Sequence, residues 1–375
     1  MSMKELRHHQ ALFAGCLVGL ISLFYVYQFL QLYHQDWTRF IQAGDRFFRP
    51  EEVPGVSILP DSMGYDGQFY YWVARDPFAV STIAEKIDYT VRYSRIGYPL
   101  AGYLASLGNP ERLPYILVFI NVFALAVAAW ALGRVFMHYG QCGLWGILVG
   151  VIPGVVFSLG RDLVEPLALC GIAFGILQYV RGRFWWSAVW FSLAVLTKET
   201  VFLGLLALAI FEIVRRRRLV LTSIIPVVAY LVWKIIVVWL FQGYGLRHVL
   251  FSDLSPVPFS DALTYYAQIF PPLHFDAAEL LTTVYLPVLF LGMVILSVAV
   301  WRSRRQPLAW FSLGLALLVP FYSDHIWVEP FAYVRVSSEF WMGLIMLSAL
   351  ISARSRWLVG SGLLALSCLV AVSLF

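Results

Sequence analysis

Residues 11–30, "ALFAGCLVGLISLFYVYQFL", contain no charged side chain in twenty positions. At 1.5 Å of rise per residue, such a run crosses the roughly 30 Å hydrocarbon core of a bilayer as one helix. The charged start "MSMKELRHHQ" before it would also suit a secretory leader. The run, however, continues into "QLYHQDW" with no small-residue cleavage site, so a retained first transmembrane helix is expected.

The rest of the chain follows the same pattern. Of 375 residues, 60% are hydrophobic and 13% charged, where an ordinary soluble domain has about 25% charge. Further apolar segments fall at about 114–133, 143–160, 163–180, 184–197, 199–214, 219–240, 283–301, 307–322, 336–352 and 357–374. The expected fold is an all-α integral membrane bundle of about eleven transmembrane helices, with residues 1–375 as a single domain. Two long loops, about 31–113 and 241–282, are longer than a bare connection needs, so they are expected to carry function or structure of their own.

The charges orient this bundle. With the N-terminus in the cytoplasm, the short loops on that side hold Lys4, Arg7, Arg134, Arg181, Arg183, Arg215–Arg218, Arg302, Arg304, Arg305, Arg354 and Arg356. Only Glu5 and Glu212 among the 22 carboxylates fall there. The net charge of +5 therefore reflects topology, not a nucleic-acid surface. The working face is expected on the outer side. Cys16, Cys142, Cys170 and Cys368 show neither a CxxC pair nor Cys/His metal spacing, so no disulfide framework or zinc site is indicated.

Four polar clusters interrupt the apolar background. "DSMGYDGQFYYWVARDP", residues 61–77, combines five aromatics with Asp61, Asp66 and Asp76. Asp66, Phe69, Tyr70 and Val73 share one helical face, which suits a helix lying in the headgroup layer. Asp66 stands between Gly64 and Gly67, where the backbone can approach a ligand closely. Walled by aromatics, it is a candidate general base; the alternative is a helix-capping carboxylate. Asp61 is expected to cap, and Asp76 before Pro77 to turn the chain.

"SLGRDLVEPLAL" places Arg161, Asp162 and Glu165 at a tight turn between two spans, with Glu165 also explicable as a carboxylate favoured at a helix start. "LTKET" places Lys198 and Glu199 on the outer side, where positive charge is not called for; Lys198 is a candidate phosphate ligand or one half of an interfacial pair. "YSDHIWVEPFAYVRVSSEF" supplies His325, Arg335 and Glu339. Arg335 can fork onto a phosphate or pair with a nearby carboxylate, and His325 can act as a base or be structural. Arg92 and Arg95 form a weaker basic set. Lys234 lies inside a span, where it would line the same cavity as Lys198 or, the favoured reading, snorkel outward. No P-loop, dinucleotide fingerprint or serine elbow occurs, and the cytoplasmic loops are too short for a catalytic domain.

The segments "GYDGQFYYWVARDP", "RYSRIGYPLAGYLAS", "LGRDLVEPLAL", "LTKET" and "AYVRVSSEF", with an N-in first helix and a long first outer loop, resemble bacterial members of the GT-C superfamily of polytopic membrane glycosyltransferases. The resemblance implies a polyprenyl-phosphate sugar donor, an acceptor hydroxyl on a glycan, lipid or protein, and an inverting transfer. It maps the general base to Asp66, with Asp36, Asp45 and Asp61 as rivals in the same loop. Lys198, Arg335 and Arg161 would hold the donor phosphate. Tyr65, Gln68, Arg95, Glu165, Glu199 and His325 would contact the acceptor or support the site. No cofactor is implied, and a carboxylate-bound divalent cation stays open. The competing expectations are a polytopic transporter of lipid or solute, whose pathway intramembrane charges would line, and a GT-C-fold protein without catalysis.

Overall fold

A computed structural model describes residues 3–216, 221–246, 254–269, 277–351 and 353–374. Arg217 and Arg218 of the basic run, parts of the 241–282 loop, and the side chains of Lys4, Arg7, Arg216 and Arg354 lie outside what is described.

The chain is almost entirely helical. After α1 (Met3–Leu32), the first long loop folds into α2 (Gly67–Arg75), α3 (Val80–Lys86), α4 (Val91–Ser94) and α5 (Gly97–Ala105). The bundle continues with α6 (Leu113–His138), α7 (Pro153–Leu159), α8 (Glu165–Val180), α9 (Phe184–Thr197), α10 (Val201–Arg216) and α11 (Leu221–Phe241). The C-terminal third holds α12 (Ser260–Ile269), α13 (Ala277–Arg302), α14 (Pro307–Ala316), α15 (Asp324–Val328), α16 (Pro330–Val336), α17 (Ser338–Ser348) and α18 (Ala353–Leu374). Among the described residues, five helical stretches are long and apolar enough to cross a membrane: His9–Leu32, Pro110–His138, Leu221–Phe241, Leu280–Arg302 and Arg356–Leu374.

Several expected spans are broken or short. Residues 143–160 form a 3₁₀ segment, Gly143–Val151, an extended Ile152 and then α7. Pro153 opens α7 where its missing N–H costs no hydrogen bond. The 3₁₀ segment lies close against α6: a Cβ on Gly146 would meet the Ala129 carbonyl oxygen at 2.1 Å. The expected 336–352 span starts at a break, Ser337, which separates α16 from α17; the hydroxyls of Ser337 and Ser338 donate to the Val334 and Arg335 carbonyls. Such interruptions are tolerated at membrane depth where the backbone is covered by protein, and α17 is buried along its whole length.

The loop between α1 and α6 is a folded cap. Asp36 accepts from the Thr38 amide at 2.9 Å to start a 3₁₀ turn, and Ala43–Gly44 pairs in parallel with Ile58–Leu59. α2 has no face open to lipid or solvent over Gly67 through Ala74, which are all buried in protein. Its aromatics pack into the cap and onto the bundle: Phe69 against Phe47, Trp72 against Phe48, and Tyr70 against Tyr98. Four aromatics in the nine residues of α2 satisfy apolar surfaces on more than one side, and that is why the helix is enclosed. The described part of the second long loop is tied to residues 320–324, with the Ser255 amide donating to the Phe321 carbonyl at 2.7 Å.

Candidate functional site

The folding of the cap separates the four aspartates that sequence left in competition. Asp36 holds Thr38 and Ser57. Asp45 accepts from the backbone amides of Asp61 and Ser62 at 2.7 and 3.1 Å. Asp61 has a left-handed φ of 51° and starts no helix, so its expected capping role is not found. Asp76 accepts from the Phe78 amide at 3.0 Å, a turn around Pro77. Asp66 alone of these lines a cavity of about 530 Å³.

Asp66 stands at the first turn of α2 without capping it by its side chain. One carboxylate oxygen, Oδ2, accepts from Arg92 Nη1 and from Arg335 Nη1, each at 2.5 Å. Arg95 Nη1 is 3.9 Å away. These pairings join residues 26 and 269 positions apart in sequence. Burial pushes the Asp66 carboxyl up, but the charges of Arg335, Arg92 and Arg95 overcome it and hold the group below the usual carboxylate range. The glycines beside Asp66 serve the fold: a Cβ on Gly67 would meet the Arg161 carbonyl oxygen at 2.2 Å, so this close approach is to protein backbone and not to a ligand.

Arg92 and Arg95 are each anchored by a second carboxylate, whereas the Arg335 Nε makes no hydrogen bond among the described residues. Arg92 forks onto Asp88 through Nε at 2.9 Å and Nη2 at 3.0 Å. Arg95 forks onto Glu199 at 2.8 and 2.6 Å and gives its third donor to the Tyr70 hydroxyl at 2.8 Å. Arg335 lies 3.6 Å from Glu165, with its guanidinium over the Tyr65 ring. Planar forks in fixed positions are suited to oxyanions.

The remaining expected residues divide between cavity wall and support. Tyr65, Gln68 and His325 line the cavity with Asp66, Arg92, Arg95 and Arg335. Gln68 is also a staple, donating to the Met63 carbonyl at 2.7 Å and accepting from the Gly44 amide at 3.0 Å. The His325 side chain is 82% exposed. Lys198, Glu165 and Glu199 do not line the cavity. Lys198 is buried with Nζ 3.1 Å from Glu165 and 2.9 Å from Glu339, which turns an expected phosphate ligand into a strut. Arg161 donates to Gln42 at 3.0 Å and stacks over Phe157 and Tyr65. Asp162 beside it is fully buried in a left-handed turn, and burial pushes its pKa well above the usual carboxylate range. Lys234 does not snorkel; Nζ donates to the Ser94 hydroxyl at 2.9 Å.

Sequence reasoning underrated Arg92. The signal was present: Asp88 and Arg92 are four apart, a helical ion-pair spacing, and Arg95 follows one turn on. A second cavity, of about 390 Å³, lies beside this segment and is lined by Tyr93, Ile96, Leu100, Leu196, Val232 and Trp233 among others. Arg92 and Arg95 thus line the polar cavity, and Tyr93 and Ile96, one residue on from each, line the apolar one. Among the described residues, no group of three or more His, Cys, Asp or Glu side chains is placed to hold a metal ion. The chain matches no protein-family model, no curated protein and no solved structure.

Proposed function

We propose that this chain is a membrane glycosyltransferase of the GT-C type, which moves a sugar from a polyprenyl-phosphate donor to an acceptor hydroxyl. The observation that carries the proposal is Asp66 on the wall of a cavity that also presents Arg92, Arg95 and Arg335, beside an apolar groove. A prenyl chain suits the groove, and its phosphate suits the guanidinium groups. In the reaction, the acceptor hydroxyl gives its proton to the Asp66 carboxylate as its oxygen bonds to the anomeric carbon. The bond from that carbon to the phosphate oxygen breaks, and the electron pair leaves with the polyprenyl phosphate. A single displacement inverts the anomeric centre. The arginines stabilise the charge that builds on the leaving phosphate.

The same proposal sets about eleven spans in a bacterial inner membrane, with the N-terminus and Arg215–Arg218 in the cytoplasm and the cavity facing the periplasm. The distribution of arginines in the sequence supports it. In a cysteine-free background, a cysteine at Glu51 should be labelled from outside intact cells and one at Gln306 should not; the reverse result removes the topology.

The second reading is a lipid or solute transporter. The buried Glu165–Lys198–Glu339 arrangement favours it, because ionisable groups within helices mark pathways. The deciding assay offers membranes holding the protein a labelled polyprenyl-phosphate sugar and cell-envelope acceptors. Release of free polyprenyl phosphate with label on an acceptor supports transfer. Movement of the intact lipid-linked sugar across the membrane, with no cleavage, supports transport.

A further inference from the structure

We propose that Asp66 is an internal stand-in for the donor phosphate, and that donor binding is what frees it to act as base; this rests on the glycosyltransferase proposal. The geometry presents a conflict that the exchange resolves. Both arginine bonds arrive at Asp66 Oδ2, from Arg92 and Arg335, so the carboxylate keeps Oδ1 for a proton but shares its negative charge with two cations. A carboxylate clamped this way is a poor proton acceptor. The same guanidinium groups are the oxyanion ligands that the cavity offers a phosphate. One set of donors cannot fully serve both anions.

The ties on each side show which partner moves. Arg92 stays fixed by its fork onto Asp88, Arg95 by its fork onto Glu199, and Arg335 lies near Glu165. The Asp66 carboxylate accepts from Arg92 and Arg335, and it makes no side-chain bond to its own helix start. Rotation about its side-chain bonds is enough to release it into the cavity. Charge also balances. A polyprenyl-phosphate sugar is a phosphodiester with a single negative charge, as is ionised Asp66. The exchange therefore leaves the net charge of the guanidinium cluster unchanged. The donor enters with its chain in the groove beside Tyr93 and Ile96, which places its phosphate next to Arg92 and Arg95.

The exchange predicts a result opposite to that of an ordinary binding residue. Asp66→Asn keeps the shape but removes the competing charge. In phosphatidylcholine nanodiscs at about pH 5, where the monoester is mainly singly charged as the donor is, it should bind undecaprenyl monophosphate at least about tenfold tighter than the wild type, while Arg92→Gln and Arg335→Gln bind it about tenfold more weakly. Unchanged or weaker binding by folded Asp66→Asn overturns the exchange. If that variant does not survive extraction, a structure of the wild-type chain with undecaprenyl monophosphate decides. Asp66 still bonded to Arg92 and Arg335 overturns the proposal, and Asp66 swung free with phosphate on the arginines supports it. Inorganic phosphate as a second probe separates the two levels. Tighter inorganic phosphate in Asp66→Asn, with no prenyl phosphate bound by either protein, keeps the exchange and removes the lipid donor. Failure of Asp66→Asn to gain affinity for either probe, with wild-type prenyl phosphate binding intact, keeps the donor and removes the exchange.

Discussion

Arg335 and Lys198 carry the same charge, and the sequence offers the same reason to single out both: a cation at the end of an apolar helix where orientation does not require one. Their surroundings separate them. Arg335 lines the cavity, with its side chain 11% exposed, and reaches Asp66. Lys198 is 1% exposed and closed between Glu165 and Glu339. The cavity wall therefore has cations that can change partner, and the layer behind it has cations that cannot. A buried charge without a partner is costly, so the inner layer fixes the outer one, with Glu165 shared between Lys198 and Arg335.

The largest expected effect lies on the exchangeable side. Asp66→Asn should reduce sugar transfer by about 10²–10⁴-fold at equal folded amounts, the usual contribution of a positioned base. Asp36→Asn, Asp45→Asn and Asp61→Asn should lose much less, because those carboxylates hold cap backbone and side chains or lie outside the cavity. A dead Asp36, Asp45 or Asp61 variant beside a normal Asp66→Asn would move the base elsewhere in the cap.

On the fixed side the loss should appear in folding. Lys198→Ala leaves two buried glutamates facing each other and should cost about 3–5 kcal/mol of stability, measured by thermal unfolding in nanodiscs. Lys198→Ala with unchanged stability but lost donor affinity would erase the distinction between the two cations. Arg335→Gln is the converse test. It should weaken donor binding by about 1.5–3 kcal/mol, roughly ten- to a hundredfold. A variant that loses stability and keeps donor affinity would make Arg335 a second strut.

The two sides were unequally legible in sequence. Long apolar runs were readable because lipid imposes a length on them, and each of the five full-length helices overlaps one of them. The break before Pro153 was not, since apolar composition continues through it while the backbone is satisfied by local turns. Most of the charged residues at the site could be picked out because charge is scarce in this chain. Their pairing could not, because Asp66 and Arg335 are 269 residues apart and no local rule links them. The separation of Lys198 from the cavity depends on packing depth, which a pattern of residue types does not encode.

The smallest effect expected concerns pH. Burial raises the Asp66 pKa, but Arg335, Arg92 and Arg95 lower it further, so the folded value lies below the unfolded one. A depressed carboxylate contributes its full stability above the unfolded pKa, about 3.9 for aspartate, and loses it as pH falls through the folded value. The stability difference between wild type and Asp66→Asn should therefore stay flat from about pH 8 to pH 5 and shrink only below about pH 4. Catalysis should behave differently. Once the donor phosphate takes the guanidinium groups, the released carboxylate loses the charges that depressed its pKa. The acid limb of the rate profile, measured with donor saturating, should then lie above the acid limb of the stability profile. Limbs that coincide would mean that Asp66 titrates in the same clamped state during turnover as at rest, and that the cations of the wall are as fixed as Lys198.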